Sequence, residues 1–590
     1  MGQVLERTPS LIEEAWKRLT LRKSVDDMQM EINENPLNRP LNFFHLNTLG
    51  LGAIIGAGIF ILSGNVAANF AGPSVIISFL IGSLVAFLAA LSYAEMASMV
   101  PIAGSSYSYI YTTMGEFCAW LIGWNLCLEY TCAVAAVSVG WSTYVASFIE
   151  FIGNTSAEYR ILSAPIAWNN TSENFYLTGA YFNLPAMLGS PALLVYNIDV
   201  SATFNSIIVV AKIIIILIFI FTAIKYIDPK NYLPFIPKNQ GGYKYGVEGL
   251  FHGTTVVFFA FIGFDVITTA AQETSRKSQN KLPISIVTSW GISTLLYIGF
   301  VSVLVGVVKY DKLADDPIAV VCRAMGLRWL EIMVDVGVIC GLTSVILGNL
   351  FAQSRILYTM SNDGLLPKIF GHVRHPKQKS QQASPVQEQY PSFLPAFLRA
   401  VLKSAPPNVA IIFPTRQAPK PGPGVPFAAP ICIGAICAVL AGFLPIDFLA
   451  EMTSIGTLFA FLLVHVGVFI MHWTHRDIKR FKIPSKTLFI PVIGVLTCGL
   501  LMNSSTKWAK IRFGVWTITG LIIYFSYSKR RSKMWNTQEK RGRVVEPMDN
   551  TNALHELVID WRGIPKQPFE AVPIVVDMNF LHATITTAVE

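Results

Sequence analysis

Charge is scarce in this chain. Of its 590 residues, 14% are Asp, Glu, Lys or Arg and 53% are hydrophobic, whereas a soluble domain carries about 25% charge. That shortage excludes a string of soluble domains and leaves one membrane domain with polar ends. The eight cysteines form no CxxC pair, so no disulfide framework is expected. The sequence also lacks a phosphate-binding glycine loop set between strand and helix, a metal-ligand cluster and a catalytic triad. It therefore reads as no enzyme, with no cofactor, no metal and no nucleic-acid partner, although its formal charge is +9. A cleavable signal peptide is not evident. The first apolar run begins near Leu46, so the first span is expected to insert as an anchor.

Long apolar runs are what the chain does have. A bilayer core takes about 20 apolar residues of helix, and about twelve stretches qualify. They lie near 46–66, 74–97, 117–144, 181–198, 203–224, 250–269, 284–308, 330–354, 425–444, 449–472, 487–503 and 510–527. The fourth is the weakest, with Pro185 and Pro191 inside it. The expected organisation is an N-terminal tail (1–41), a membrane domain (42–527) with a mobile polar insert at 375–424, and a C-terminal tail (528–590).

Basic residues give the orientation. With both tails in the cytoplasm, the inside segments hold 32 Lys and Arg and the outside loops 12. The sequons at Asn154, Asn169, Asn170 and Asn503 all fall in outside loops. Asn154, Asn169 and Asn170 are expected glycosylation sites; Asn503 sits too close to the membrane.

Two spans look interrupted. The first contains Gly50, Gly52, Gly56 and Gly58 within nine residues, which propagates helix poorly. Gly52 and Gly56 fit close helix packing, but Gly56-Ala57-Gly58 places glycines on two faces and suits an unwound turn. The sixth span contains Phe259-Ala260-Phe261-Ile262-Gly263-Phe264-Asp265. A carboxylate at that depth faces a cavity or a partner, unless Asp265 lies near the cytoplasmic end and is solvated. Breaks five spans apart are the pattern of two inverted five-span repeats with a ligand site at their junction. Amides at an exposed half-helix N-terminus attract a carboxylate, and unwound carbonyls take an ammonium.

Lys212 lies in the unbroken run Val209 to Ile216 of the fifth span. Desolvation disfavours its charged form, so a lysine at that depth is able to load and release a proton; the alternative is snorkelling to the interface. Glu129 in the third span is a candidate partner of Lys212, a contact for a basic ligand, or a buried polar bond.

Several segments carry a family resemblance. Leu49 to Phe60, Ser92 to Tyr107, Gly123 to Tyr130, Phe261 to Asp265, Pro283 to Ser289, Ser361 to Pro367 and Ser454 to Leu458 resemble the cationic amino acid transporter family of the amino acid–polyamine–organocation superfamily. The likeness implies an all-α integral membrane protein of about twelve spans. Its core would be five-plus-five and LeuT-like, with helices 1 and 6 discontinuous. It implies that the amides of Ala57 and Gly58, with Gly56 permitting the turn, hold a substrate carboxylate. The carbonyls of Ile54, Phe259, Ala260 and Ile262 would receive the ammonium, with Asp265 near the pocket. Lys212 stands where sodium-coupled relatives bind sodium, which implies proton coupling with Glu129 at hand.

Two departures from the family pattern are expected: twelve spans where vertebrate members carry two more at the C-terminus, and Lys212 where vertebrate facilitators carry a neutral residue. The expected function is secondary active transport of an amino acid, cationic and proton-coupled, by alternating access in the plasma membrane, with protons and the lipid bilayer as its other partners. A neutral amino acid or polyamine permease, or a non-transporting receptor, are the alternatives. The sequence identifies no partner subunit.

Overall fold

A computed structural model describes residues 21–23, 39, 41–153, 165–169, 174–177, 183, 198–313, 317–374, 425–426, 428–474 and 489–536. The fourth expected span apart from its residues 183 and 198, Asn154, Asn170, the 375–424 insert and the tail beyond 536 lie outside the described residues; Asn169 ends strand β1 (Ile166–Asn169), which pairs antiparallel with β2 (Asn174–Leu177).

Apart from one short strand pair, Val373–Arg374 with Val425–Pro426, the remaining regular structure among the described residues is helical, because hydrocarbon offers the backbone no other hydrogen-bond partners. In chain order the principal helices are α1 (Phe43–Ile54), α2 (Val75–Met99), α3 (Ser106–Thr113), α4 (Glu116–Gly153), α5 (Ile198–Ala223) and α6 (Gly246–Val257). They continue as α7 (Leu282–Val307), α8 (Arg328–Asn362), α9 (Ala428–Phe443), α10 (Ile446–Thr474), α11 (Phe489–Ser504) and α12 (Lys507–Ile523). Among the described residues, seven helical segments are long and apolar enough to cross a membrane.

One of these, Phe43–Met99, runs 57 residues and reverses. Tyr297 bonds the Ile54 carbonyl at 2.8 Å while its ring meets that of Phe79 at 6.0 Å. In a straight helix residues 54 and 79 would stand about 37 Å apart. The reversal falls at Gly72, whose φ of +61° is open to glycine at little cost. The pair α11–α12 is bent by 112°. Its turn lies near His252 and Glu451, through Ser504 and Arg512, and α12 then runs past Trp124 and Trp120 back to Glu116.

Lipid-facing stripes explain why so much apolar surface is uncovered. Ile207, Ile214 and Phe221 on α5 are 64%, 51% and 67% exposed, and their spacing of seven places them on one helix face. Ile511, Val515, Ile518 and Ile522 do the same on α12. In water such faces would aggregate; a bilayer covers them.

One end of the bundle is tied by the described residues 21–23 and by Ser532. Lys23 pairs with Asp363 at 2.9 Å, Glu116 N–H bonds Leu21 O, and Ser532 donates to Glu116 at 2.5 Å. We call this the tail end. Near it, Arg355 and Glu273 form an ion pair at 2.7 Å, with the guanidinium 3.8 Å from the Phe351 ring centre. Arg355 falls one residue past the expected span 330–354. It is 1% exposed, because α8 continues to Asn362. Arg355→Ala strands the buried Glu273 carboxylate and is expected to cost about 3–5 kcal/mol. Thermal denaturation of the purified protein checks this, and an unchanged midpoint contradicts it. The double variant Arg355→Met/Glu273→Leu should recover most of the loss.

Candidate functional site

Both expected breaks are present. α1 stops at Ile54, Ile55 is extended (ψ 96°), and helix resumes at Ala57 as a wide turn over Gly58–Leu62. α6 tightens into a 3-10 turn over Phe258–Phe261, Ile262 is extended (ψ 140°), and Gly263 takes φ +124° before helix resumes at Val266. A side chain at Gly263 would be strained there and would approach the Ala53 carbonyl carbon to 2.8 Å.

The two breaks touch. A Cβ on Gly58 would sit 2.4 Å from Ala260 Cα, so only glycine permits this approach. Gly56 packs against Val345 of α8, and Gly52 against Val209 and Asn205 of α5. These glycines thus serve close packing as well as unwinding. Between the breaks lies a cavity of about 10 Å³, lined by Ala53, Ile54, Gly56, Ala57, Gly58, Phe259 and Ile262 from the breaks, with Ala133, Val137, Val345 and Asn349 as walls. That is room for about one water, so the two breaks are closed on one another in this structure. The first N–H groups of the resumed helix, Ala57 and Gly58 among them, have no preceding turn to bond to.

The structure thus brings together Ile54, Gly56, Ala57, Gly58, Phe259, Ala260 and Ile262. Asp265 is fully buried, but it does not line this cavity and it is not solvated at a helix end. Its Oδ2 accepts a short bond from the Tyr130 hydroxyl, and its Oδ1 has no partner among the described residues. Glu129, 1% exposed, stands close enough to Asp265 for their charges to interact, with Thr457 beside it.

Lys212 is 1% exposed and does not snorkel. Its Nζ donates to Gly52 O at 3.0 Å, Ile55 O at 2.9 Å and Ser344 Oγ at 2.9 Å. These three acceptors match the three protons of an ammonium. Two of them are carbonyls that the break strips of helical partners, at the negative end of α1. This corrects one expectation. Glu129 is not bonded to Lys212, because the break itself supplies the acceptors.

Two further residues escaped the sequence reading. Tyr297, fully buried on α7, shares its one hydroxyl proton between Ile54 O at 2.8 Å and Ala260 O at 2.9 Å. It therefore ties break to break. A hydroxyl-bearing aromatic in mid-span, far from the interfacial belts, was the available signal. Asn349 lines the cavity, in an otherwise apolar wall, with no partner for its Oδ1 among the described residues. Tyr297→Phe removes the tie and is expected to slow transport about ten-fold, the equivalent of one buried hydrogen bond. Initial uptake rates in proteoliposomes measure it, and wild-type rates would contradict it.

Comparison with known proteins agrees with this geometry. A family model described as amino acid permease matches residues 41–528. The chain is 36% identical over 521 residues to the branched-chain amino acid permease BcaP of Bacillus subtilis (strain 168), covering 87% of this chain and 98% of the relative. It is 34% identical over 519 residues to the methylthioribose transporter of the same organism, with the same coverage. It is 33% identical over 467 residues to the vacuolar cationic amino acid transporter 2 of Arabidopsis thaliana, covering 78% of this chain and 64% of that relative. These relatives are transporters, not enzymes, and the broken helices, their shared cavity and the match along the membrane domain have one conclusion: the chain belongs to the amino acid permease family.

Proposed function

We propose that this protein is a proton-coupled secondary transporter of an α-amino acid, working by alternating access. The observation that carries the reading is the contact of the two broken helices at Gly58 and Ala260 around one small cavity. In this reading the amides of Ala57 and Gly58 take the substrate carboxylate, and the carbonyls of Ile54, Phe259, Ala260 and Ile262 take its ammonium. Asn349 Oδ1 is a further acceptor for the ammonium. The core is a five-plus-five inverted repeat within twelve spans, and both tails face the cytoplasm of a plasma-membrane protein. The excess of Lys and Arg in the tails and tail-end loops supports that orientation. Lys212, with an oxygen set suited to a cation, is the proton carrier. Releasing its proton would loosen its hold on Gly52 and Ile55 and free the first break to move.

The wall of Ala133, Val137 and Val345 suits an aliphatic side chain, and the name of the B. subtilis permease points the same way. A cationic side chain is the second reading. It is favoured by Asp265 and Glu129, two buried carboxyls that meet no base among their hydrogen-bond partners. Uptake of labelled leucine, alanine, arginine and lysine into proteoliposomes, with and without an inward proton gradient, separates these readings. Gradient-driven uptake of leucine and alanine supports the first, and of arginine and lysine the second. Uptake of none of them, with binding retained, would replace the transporter reading with a receptor.

A further inference from the structure

Helix α12 shows lipid an unbroken apolar stripe. Ile511, Val515, Ile518, Ile522 and Phe525 recur every three or four residues and are all exposed, which puts them on one helix face. At the tail end this face changes character. A wide turn over Tyr524–Ser528 carries the stripe on to Lys529, whose Nζ stands 5.8 Å from the Phe525 ring centre. Arg530, Arg531 and Lys533 follow, all exposed. From Tyr524 to Asn536 the chain holds four bases and no acid.

The protein does not neutralise these bases. The nearby acids are engaged elsewhere: Glu116 accepts from Tyr111 and Ser532, and Asp363 from Lys23 and Tyr107. Among the described residues, Lys529, Arg530 and Arg531 form no ion pair. Arg531 instead donates to the Tyr527 hydroxyl at 3.1 Å, with its guanidinium 4.7 Å from that ring centre. The other side of the same stretch is fixed to the bundle. Ser528 donates to Leu365 O at 2.7 Å, the Lys533 N–H to Asp363 O at 3.0 Å, and Ser532 to Glu116 at 2.5 Å. The Arg531 carbonyl packs on Gly364, where a Cβ would stand 2.4 Å from it. Serines and backbone thus hold the stretch against the end of α8 and the start of α4, and the bases stay outside. A fixed row of cations where a lipid-covered face ends fits the phosphates of acidic phospholipids. A soluble acidic partner would leave the continuity with the apolar stripe without a role.

We propose that Lys529–Lys533 binds the headgroups of acidic phospholipids, with their chains along the α12 stripe, and that an occupied site braces the end of α8 against the start of α4. In the orientation given above this end meets the cytoplasmic leaflet, which carries the negative surface potential; the test does not depend on that orientation. It uses the full chain in nanodiscs of phosphatidylcholine with graded amounts of phosphatidylglycerol. Native mass spectrometry counts the phosphatidylglycerol retained on the released protein, and thermal unfolding in the nanodisc gives the midpoint. Wild type should retain phosphatidylglycerol in preference to phosphatidylcholine and melt higher when it is present. A base near the surface is worth about five-fold in binding, so Lys529→Gln/Arg530→Gln/Arg531→Gln should bind on the order of 100-fold more weakly. That variant should melt alike in both lipids. Lys529→Arg/Arg530→Lys/Arg531→Lys should behave as wild type, which separates lost charge from lost folding. Lys225→Gln/Lys230→Gln/Lys238→Gln, at exposed lysines between α5 and α6, should also retain the lipid. Glycerophosphoglycerol, the headgroup without chains, should not displace it. Equal retention in wild type and the triple glutamine variant at 529–531 overturns the site, and equal loss in the 225–238 variant overturns it by reducing it to unselective charge. Displacement by the chainless headgroup overturns the lipid as occupant, in favour of a soluble phosphate. Equal wild-type midpoints in the two lipids overturn the bracing role.

Discussion

Lys212→Met is expected to abolish accumulation driven by a proton gradient. Methionine fills a similar volume but brings no donor. Ile55 O then loses its partner, and Gly52 O keeps only the Ser344 hydroxyl at 3.3 Å. An orphaned buried carbonyl costs about 1–3 kcal/mol, so the variant should also be measurably less stable. The effect on coupling is larger, because among the described residues no other basic side chain hydrogen-bonds the first break. Exchange of labelled for unlabelled substrate across the membrane needs no gradient and should survive, slowed. Lys212→Arg keeps the charge but does not deprotonate, and it should lose gradient-driven accumulation as well. Proteoliposome uptake at fixed internal pH and varied external pH reads this directly. Accumulation that still follows the proton gradient in both variants contradicts the role assigned to Lys212.

The second large effect is expected at Gly58. In Gly58→Ala the new methyl would meet Ala260 Cα at 2.4 Å and its Cβ at 2.6 Å. The obstacle is backbone, so the breaks must part. Misplacing reacting or binding groups by about 1 Å costs on the order of 100-fold, and transport should fall by that much. Gly291 is the matched control. A Cβ there meets nothing within 4 Å, and Gly291→Ala on α7 should transport as wild type does. Loss of transport in both variants would point to general intolerance of the bundle, and loss in neither would remove the requirement for contact between the breaks.

Much of this was legible in the sequence because a membrane forces local signals to be strong. Apolar run lengths located the described spans, and the density of Gly56-Ala57-Gly58 located the first break. The second break was found from Asp265, although Gly263 and not the carboxylate makes the turn. What failed to show in the sequence was partnership across long separations. Lys212 reads as a buried cation in search of a carboxylate, and Glu129 is the obvious candidate. Carbonyls released by an unwound helix do not appear as polar residues, so the acceptors at Gly52 and Ile55 were invisible. Tyr297 and Asn349 were passed over for a related reason: one mid-span polar group stands out only when its position in the bundle is known. Arg355 was misread because a basic residue at a span's end resembles a topology signal until its partner Glu273 is placed beside it.

The account's central claim is that both α-groups of the substrate are held by the broken helices. Competition of uptake tests it most directly, with labelled leucine challenged by isoamylamine, which lacks the carboxylate, and labelled arginine challenged by agmatine. The account predicts that whichever amino acid is carried is displaced by other α-amino acids of similar side chain and hardly at all by its decarboxylated analogue. Displacement by the amine as strong as by the amino acid itself would mean that the Ala57 and Gly58 amides hold no carboxylate, and would contradict the account.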